Sequence, residues 1–287
     1  MKATFIIAAL CSVWLQAQSA PPARPKFNVV SVKPCKPGDP GGGDSSPGSL
    51  HVGCGILAGT DHTGILQRAY NRYANGYLTS VRVIPIEGAP DWIHAEAFTI
   101  DAKSEGHPSI LMMEGPMMQA ILEDRFKLKV HRETRQGPVY DLTLGKGSPK
   151  LKPLQQGACT PAPIGRPLPQ VAPGEHLCRN MVAPRGAVDI EGSTLSGFAA
   201  LLAMALDRPV IDKTGITDYF EIHLRFSPDD LAAPRPGPDA PDAPTVRPPD
   251  VPGIFQAMQE QLGLKLVPAK GPVEVLVIDH IERPTGN

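Results

Sequence analysis

Hydrophobic positions recur at helical spacing in several stretches. Over Asp61–Tyr73 the residues Ile65, Leu66, Ala69, Tyr70 and Tyr73 share one face. Over Ile110–Arg125 the face is built from Leu111, Met117, Met118, Ile121 and Leu122, with an irregularity expected at Gly115-Pro116. A helix capped by Ser193 or Thr194 and ending near Leu206 sets Leu195, Phe198, Leu202 and Leu206 together. Its Gly197, Ala199, Ala200 and Ala203 leave another face thin enough for close packing. Ile254–Leu262 is a further short helix. Strand patterns lie between, at Phe27–Lys33, Ala97–Lys103, Val188–Glu191, Val210–Asp212 and Tyr219–Phe226, and Leu264–Val267 with Val273–Ile281 closes the chain as a strand pair. Phe126, Leu128 and Val130 alternate with Lys127, Lys129 and His131, so one strand face is buried and the other basic. Pro138–Leu144 is expected as its partner across a turn. Val275–Ile278 is apolar without a break, as in a strand covered on both faces.

The order of elements repeats. Phe126-Lys-Leu-Lys-Val130 followed by Gly137-Pro138-Val139-x-x-Leu142 parallels Leu262-Gly-Leu-Lys-Leu266 followed by Gly271-Pro272-Val273-x-x-Leu276. The fold class predicted is α+β: two related units of short helices on small mixed or antiparallel sheets, spanning roughly 48–152 and 188–284. Proline modifies this picture. Of 33 prolines, 7 lie in residues 21–47, 7 in 153–187 and 9 in 228–252. Residues 20–47 therefore read as a Pro/Gly-rich leader, 153–187 as a long loop and 228–252 as an acidic, solvated excursion. The remainder of the chain has near-background proline content, which removes disordered and collagen-like readings.

The formal charge of −1, from 28 basic and 29 acidic residues, leaves no excess to neutralise a phosphate backbone, so no nucleic-acid partner is expected. Residues 1–19 have the plan of a signal peptide: Lys2, an apolar run from Ala3 to Leu15, and Ala17-Gln18-Ser19 at the cleavage rule. A 13-residue run rises about 20 Å as a helix, short of a bilayer's ~30 Å core. Leu10 is too bulky for a lipobox before Cys11. The mature protein is expected to be soluble, periplasmic or extracellular, and not an integral membrane protein. Cys35, Cys54, Cys159 and Cys178 then remain, an even number in an oxidising compartment, in two pairs each 19 positions apart. Four cysteines allow three connectivities, and the local pairs Cys35–Cys54 and Cys159–Cys178 are preferred. The rival is metal binding, with His51 beside Cys54 and His176 beside Cys178. Each cluster offers three obvious ligands without C-x-x-C spacing, so no metal and no cofactor are expected.

Several strings carry a family resemblance: Phe27-Asn-Val-Val-Ser-Val-Lys-Pro34, Gly88-Ala-Pro-Asp-Trp92, Phe98-Thr-Ile-Asp-Ala102, Asp124-Arg-Phe-Lys-Leu-Lys-Val-His-Arg-Glu133, Arg208-Pro-Val-Ile-Asp-Lys-Thr-Gly215 and Pro272-Val-Glu-Val-Leu-Val-Ile-Asp279. Across nearly the whole mature chain it resembles a soil-associated family of exported proteins abundant in acidobacteria, a domain of unknown function. The resemblance brings no catalytic residues. Some members sit beside or are fused to membrane zinc-peptidase sensors of the beta-lactam-regulator type, which implies an envelope sensing or recognition role. The element order of the second half resembles the short N-terminal domain of secretins and TonB-dependent receptors.

Candidate chemistry is sparse. Lys213-Thr214-Gly215 matches one motif of penicillin-recognising enzymes, but Ser-x-x-Lys and Ser-Asp-Asn are missing, and an Asp212 turn closed by Gly215 accounts for it. Gly145-Lys146-Gly147-Ser148 lacks the spacing of a phosphate loop. His131 and Glu133 share a strand face, as do Lys127 and Lys129; with Trp92 beside its turn they form the candidate ligand-binding surface. A solvated face and a core-anchoring Trp are the plain alternatives. Asp279 and His280 fall on opposite faces of the last strand. With no catalytic string, no catalytic residue is assigned. The favoured function is a non-enzymatic exported recognition or sensing protein that binds an envelope protein or cell-wall component. The alternative is an exported hydrolase whose site is assembled from distant residues.

Overall fold

In the computed structural model, residues 25–59, 63–162, 164–183, 186–206, 208–227 and 251–284 are described, and the chain is α+β, 21% helical and 36% strand. The predicted signal peptide and nearly all of the acidic excursion lie outside the described residues. The leader supplies β1 (Val29–Pro34), at the strand pattern of Phe27–Lys33, and β2 (Gly42–Ser46), and β3 (Ser49–Ile56) follows. Next come α1 (Ile65–Gln67), continued by a π turn over Arg68–Arg72, then β4 (Ile86–Glu87), α2 (Trp92–Ala95) and β5 (Ala97–Lys103). Helix α3 (Ile110–Met112) and α4 (Met118–Arg125) are joined by a π turn over Met113–Met117, which places the irregularity at Gly115-Pro116. The long strand β6 (Lys129–Leu144) ends the first half.

The second half runs through β7 (Lys152–Pro153), β8 (Asn180–Ala183), β9 (Ala187–Ser193), α5 (Leu195–Ala205), β10 (Val210–Asp212) and β11 (Phe220–Arg225). It closes with α6 (Ile254–Ala257), a π turn over Met258–Leu262, and β12 (Leu264–His280). Thr194 caps α5, its hydroxyl accepting from Gly197 N at 3.1 Å. The strands form three four-stranded sheets, ordered β1-β5-β3-β2, β10-β6-β12-β4 and β7-β11-β9-β8. Raising every strand number of the first sheet by six gives the third. The same shift carries β4 and β6 of the central sheet onto β10 and β12.

The central sheet corrects the expected turns at the glycine-proline pairs. Neither β6 nor β12 turns back there. Each runs straight through, and the two pair antiparallel over their full length, Leu264 opposite Leu144 and Ile278 opposite Val130. Gly137 faces Gly271 at the middle of this ribbon. The Tyr140 amide donates outward to Pro209 O at 2.8 Å and the Leu276 amide outward to Pro85 O at 2.9 Å. Pro138, Pro268 and Pro272 share the parity of those residues, so their missing N–H groups would have pointed away from the ribbon partner and no ladder bond is lost. The glycines let side chains close over the ribbon: a Cβ on Gly271 would meet Ile211 Cδ1 at 2.8 Å, and one on Gly137 would meet Val273 Cγ2 at 2.8 Å, so either side chain would have to shift.

The ribbon threads two hydrophobic cores. One end, with Leu128, Leu276 and Ile278, packs under α4, α1 and the first sheet, around Phe98 and Phe126, whose rings meet edge to face at 5.2 Å. The other end, with Tyr140, Leu142, Leu264 and Leu266, packs under α5, α6 and the third sheet. The connector before β4 touches both, since Val81 is buried in the second core and Ile84 in the first. Two cysteine pairs stand at disulfide geometry: Cys35–Cys54 ties the end of β1 to β3, and Cys159–Cys178 ties the 153–187 segment to itself just before β8. That segment is further held by the Thr160–Leu177 bridge.

Candidate functional site

Strand alternation gives the central ribbon two chemically different faces. On one face His131, Glu133 and Arg135 of β6 meet Asp279 of β12 and Glu87 of β4. The His131 ring has Nδ1 2.9 Å from Asp279 Oδ1 and Nε2 3.0 Å from Glu133 Oε1. Arg135 donates to Glu133 through Nε at 2.8 Å and also bonds Glu87. Hydrogen bonding to Asp279, and next to Glu133, raises the His131 pKa; His131 and then Arg135 lower that of Glu133.

The sign of the pH dependence follows. Because its folded pKa is raised, His131 stabilises the fold fully below the ordinary imidazole value, and the contribution is lost as pH rises through the raised folded value. An NMR titration of the His131 ring is expected to show a midpoint above about 6.5. In Asp279→Asn the midpoint should move down; an unchanged midpoint would sink the assignment.

The remaining residues of the sequence-predicted surface are not gathered at this cluster. Trp92 begins α2, its ring edge-on to Phe98 at 6.3 Å and covered by the Arg283 guanidinium at 5.0 Å. Arg283 in turn forks onto Glu96. Lys127 stands at φ 54° just past α4 and donates to Asp124 O at 2.8 Å, while Lys129 is exposed opposite His280. Elsewhere, Asp212 accepts from the Thr214 amide at 2.9 Å, and Gly215 takes φ 74°, the turn expected there. Cys35, Cys54 and Asp39 converge within 4.8 Å, but both sulfurs are spent on each other. His51 bonds Asp101 at 2.7 Å.

The opposite face of the ribbon floors a cleft of about 950 Å³ between the two halves. Val130, Pro272 and Leu276 give an apolar floor. The end of the α1 π turn and the connector 79–84 form one wall; Ala200 and Ala203 of α5 form the other. The small residues on α5 are what keep this space open. Arg132 on the floor pairs with Glu274 and donates to Tyr70 O. Arg82 reaches in from the connector, half-buried; burial lowers its pKa and Glu274 partly offsets the effect. The hydroxyls of Thr79 and Ser80 are engaged with backbone carbonyls, Tyr77 O at 3.2 Å and Arg82 O at 3.3 Å.

Arg82, Arg132 and Glu274 were not legible as a site in the sequence. Arg132 and Glu274 sit 142 positions apart within strings that read as alternating strands. Arg82 sits between Val81 and Val83 in an alternation that Ile84-Pro85 breaks off at once, too short to mark a strand.

Among the described residues no helix is long and apolar enough to cross a membrane. Comparison with curated proteins and with solved structures yields no match. One family model does match, over residues 74–281, a span that takes in the ribbon and all of the cleft lining except Tyr70 and Asn71; the chain belongs to that family, described as a protein of unknown function, DUF3738.

Proposed function

We propose that the protein acts outside the cytoplasm as a non-enzymatic recognition or sensing module, and that its ligand enters the cleft between the halves. The cleft carries this reading. It has the volume of a small-molecule or peptide-end site, an apolar floor and a few polar groups on its walls. The predicted signal peptide and the two cysteine pairs support the exported setting. The likeness to the soil-associated exported family, and of the second-half element order to envelope interaction domains, favours an envelope protein or cell-wall component as the source of the ligand. The matching strand order of the outer sheets supports descent from two related α+β units, with the cleft at their junction. A hydrolase built on His131 gains no support: both its ring nitrogens are engaged by carboxylates, Asp279 and Glu133, so neither faces an open site for substrate.

Immobilised mature protein exposed to envelope extract is expected to retain a specific protein or cell-wall component. The variant Asn75→Trp, which places a ring at the exposed rim of the cleft, should lose it. Equal retention by both proteins, or nothing above a scrambled-segment control, would overturn the reading.

A further inference from the structure

We propose that Arg82 is the anchor of an oxyanion site in the cleft, and that the ligand is a carboxylate carried on an apolar body. This deepens the cleft reading and rests on it.

The charge balance is the first reason. The charged side chains bordering the cleft are Arg82, His131, Arg132 and Glu274. His131 is taken up by Asp279 and Glu133. Glu274 accepts from Arg132, whose other terminal nitrogen is held by Tyr70 O. Among the described residues, the Arg82 guanidinium makes no hydrogen bond and no ion pair, although it is half-buried. Glu274 acts on it only through its charge, without a hydrogen bond; a guanidinium half-withdrawn from water with its N–H fork unfilled is costly, and an oxyanion delivered by a ligand lowers that cost through two parallel N–H···O bonds.

The second reason is that the backbone presenting Arg82 is fixed from both sides before any ligand arrives. Val81 is buried in one core and Ile84 in the other. Asn71 donates to Arg82 O, Gln67 to Ile84 O at 2.6 Å, and the Thr79 amide to Arg72 O at 2.8 Å. The Arg82 amide itself donates to Ser80 Oγ at 3.2 Å. A connector pinned on both sides of a cation that makes no hydrogen bond of its own holds that cation in place. Beside the Arg132–Glu274 pair, whose charges are matched to each other, Val130, Pro272 and Leu276 give the floor an apolar patch that fits an apolar body.

The test uses three probes on the folded mature protein. 8-Anilinonaphthalene-1-sulfonate carries an oxyanion on an aromatic body, and N-phenyl-1-naphthylamine is its neutral counterpart. Dodecanoate, against dodecanol, supplies the carboxylate in competition. Wild-type protein is expected to bind the anionic dye at one saturable site and to release it to dodecanoate but not to dodecanol. Arg82→Gln should weaken the anionic dye about 10- to 100-fold while leaving the neutral dye unchanged. Arg82→Lys, which keeps the charge but loses the fork, should fall between them, and it carries the comparison if Arg82→Gln does not fold. Equal anionic-dye affinity in wild type and variant overturns the anchor. If the neutral dye still binds and Asn75→Trp blocks it, the cleft reading survives that failure. If neither dye binds, both readings fall.

Discussion

Replacing Gly115 by alanine is expected to lower the unfolding free energy by about 4 kcal/mol or more, at the far end of what single substitutions do. Gly115 lies in the π turn between α3 and α4, where the backbone leaves the helical conformation. The obstacle to a side chain is space. A Cβ there would stand 1.8 Å from Tyr73 O and 2.8 Å from Tyr73 C, both backbone atoms that no rotamer change can move. Relief requires α4 to separate from the segment after α1. That separation would expose Met113, Met117 and Met118, all within the first core. Urea melts of Gly115→Ala and of the control Gly41→Ala decide the matter. Gly41 has open space around its missing Cβ and should change stability by less than about 0.5 kcal/mol. A Gly115→Ala melt that overlays the wild type would refute the packing described here.

The second large effect is expected from the cysteines. Each pair closes a segment of 19 positions, worth roughly 3 kcal/mol in the chain-entropy model. Loss of both removes about 6 kcal/mol, comparable with the whole stability of many domains, ~5–15 kcal/mol. The two losses differ in kind. Cys35→Ser with Cys54→Ser frees β1 from β3 at the edge of a sheet whose pairing with β5 remains. Cys159→Ser with Cys178→Ser frees a proline-rich segment that, among the described residues, is otherwise held by the Thr160–Leu177 bridge, the Gly165 amide on Leu78 O, Ile164 against the second core, the Arg179–Glu191 pair and two short strands. The second double variant should therefore show the larger gain in protease cleavage within 154–178, with a stability loss similar to that of the first. Reduced and oxidised wild-type protein giving the same urea midpoint would contradict this. The same dependence makes folding in a reducing compartment unfavourable, in keeping with the proposed export.

Local chemistry made much of the fold readable. The Thr194 cap, the Asp212–Thr214 turn and the irregularity at Gly115-Pro116 all arise between residues within a few positions of one another, so composition at those positions is enough. Strands such as Ala97–Lys103 were readable because one buried face imposes a period of two. The sequence by itself thus determined the α+β class, most element types and a pairing preference for the cysteines that matches the observed geometry. It did not determine that Gly137-Pro138 and Gly271-Pro272 continue a strand. Locally those pairs read as turns, and only the presence of each strand opposite the other places the prolines where no ladder bond is required and sets glycine against glycine. Tertiary structure likewise decided the site. The His131–Asp279 contact spans 148 positions and the Arg132–Glu274 pair 142, and the unfilled N–H fork of Arg82 is a property of everything around it. Pairing, solvent exclusion and the lack of a hydrogen-bond partner are relations between distant parts of the chain, fixed only when the ribbon brings the two halves together.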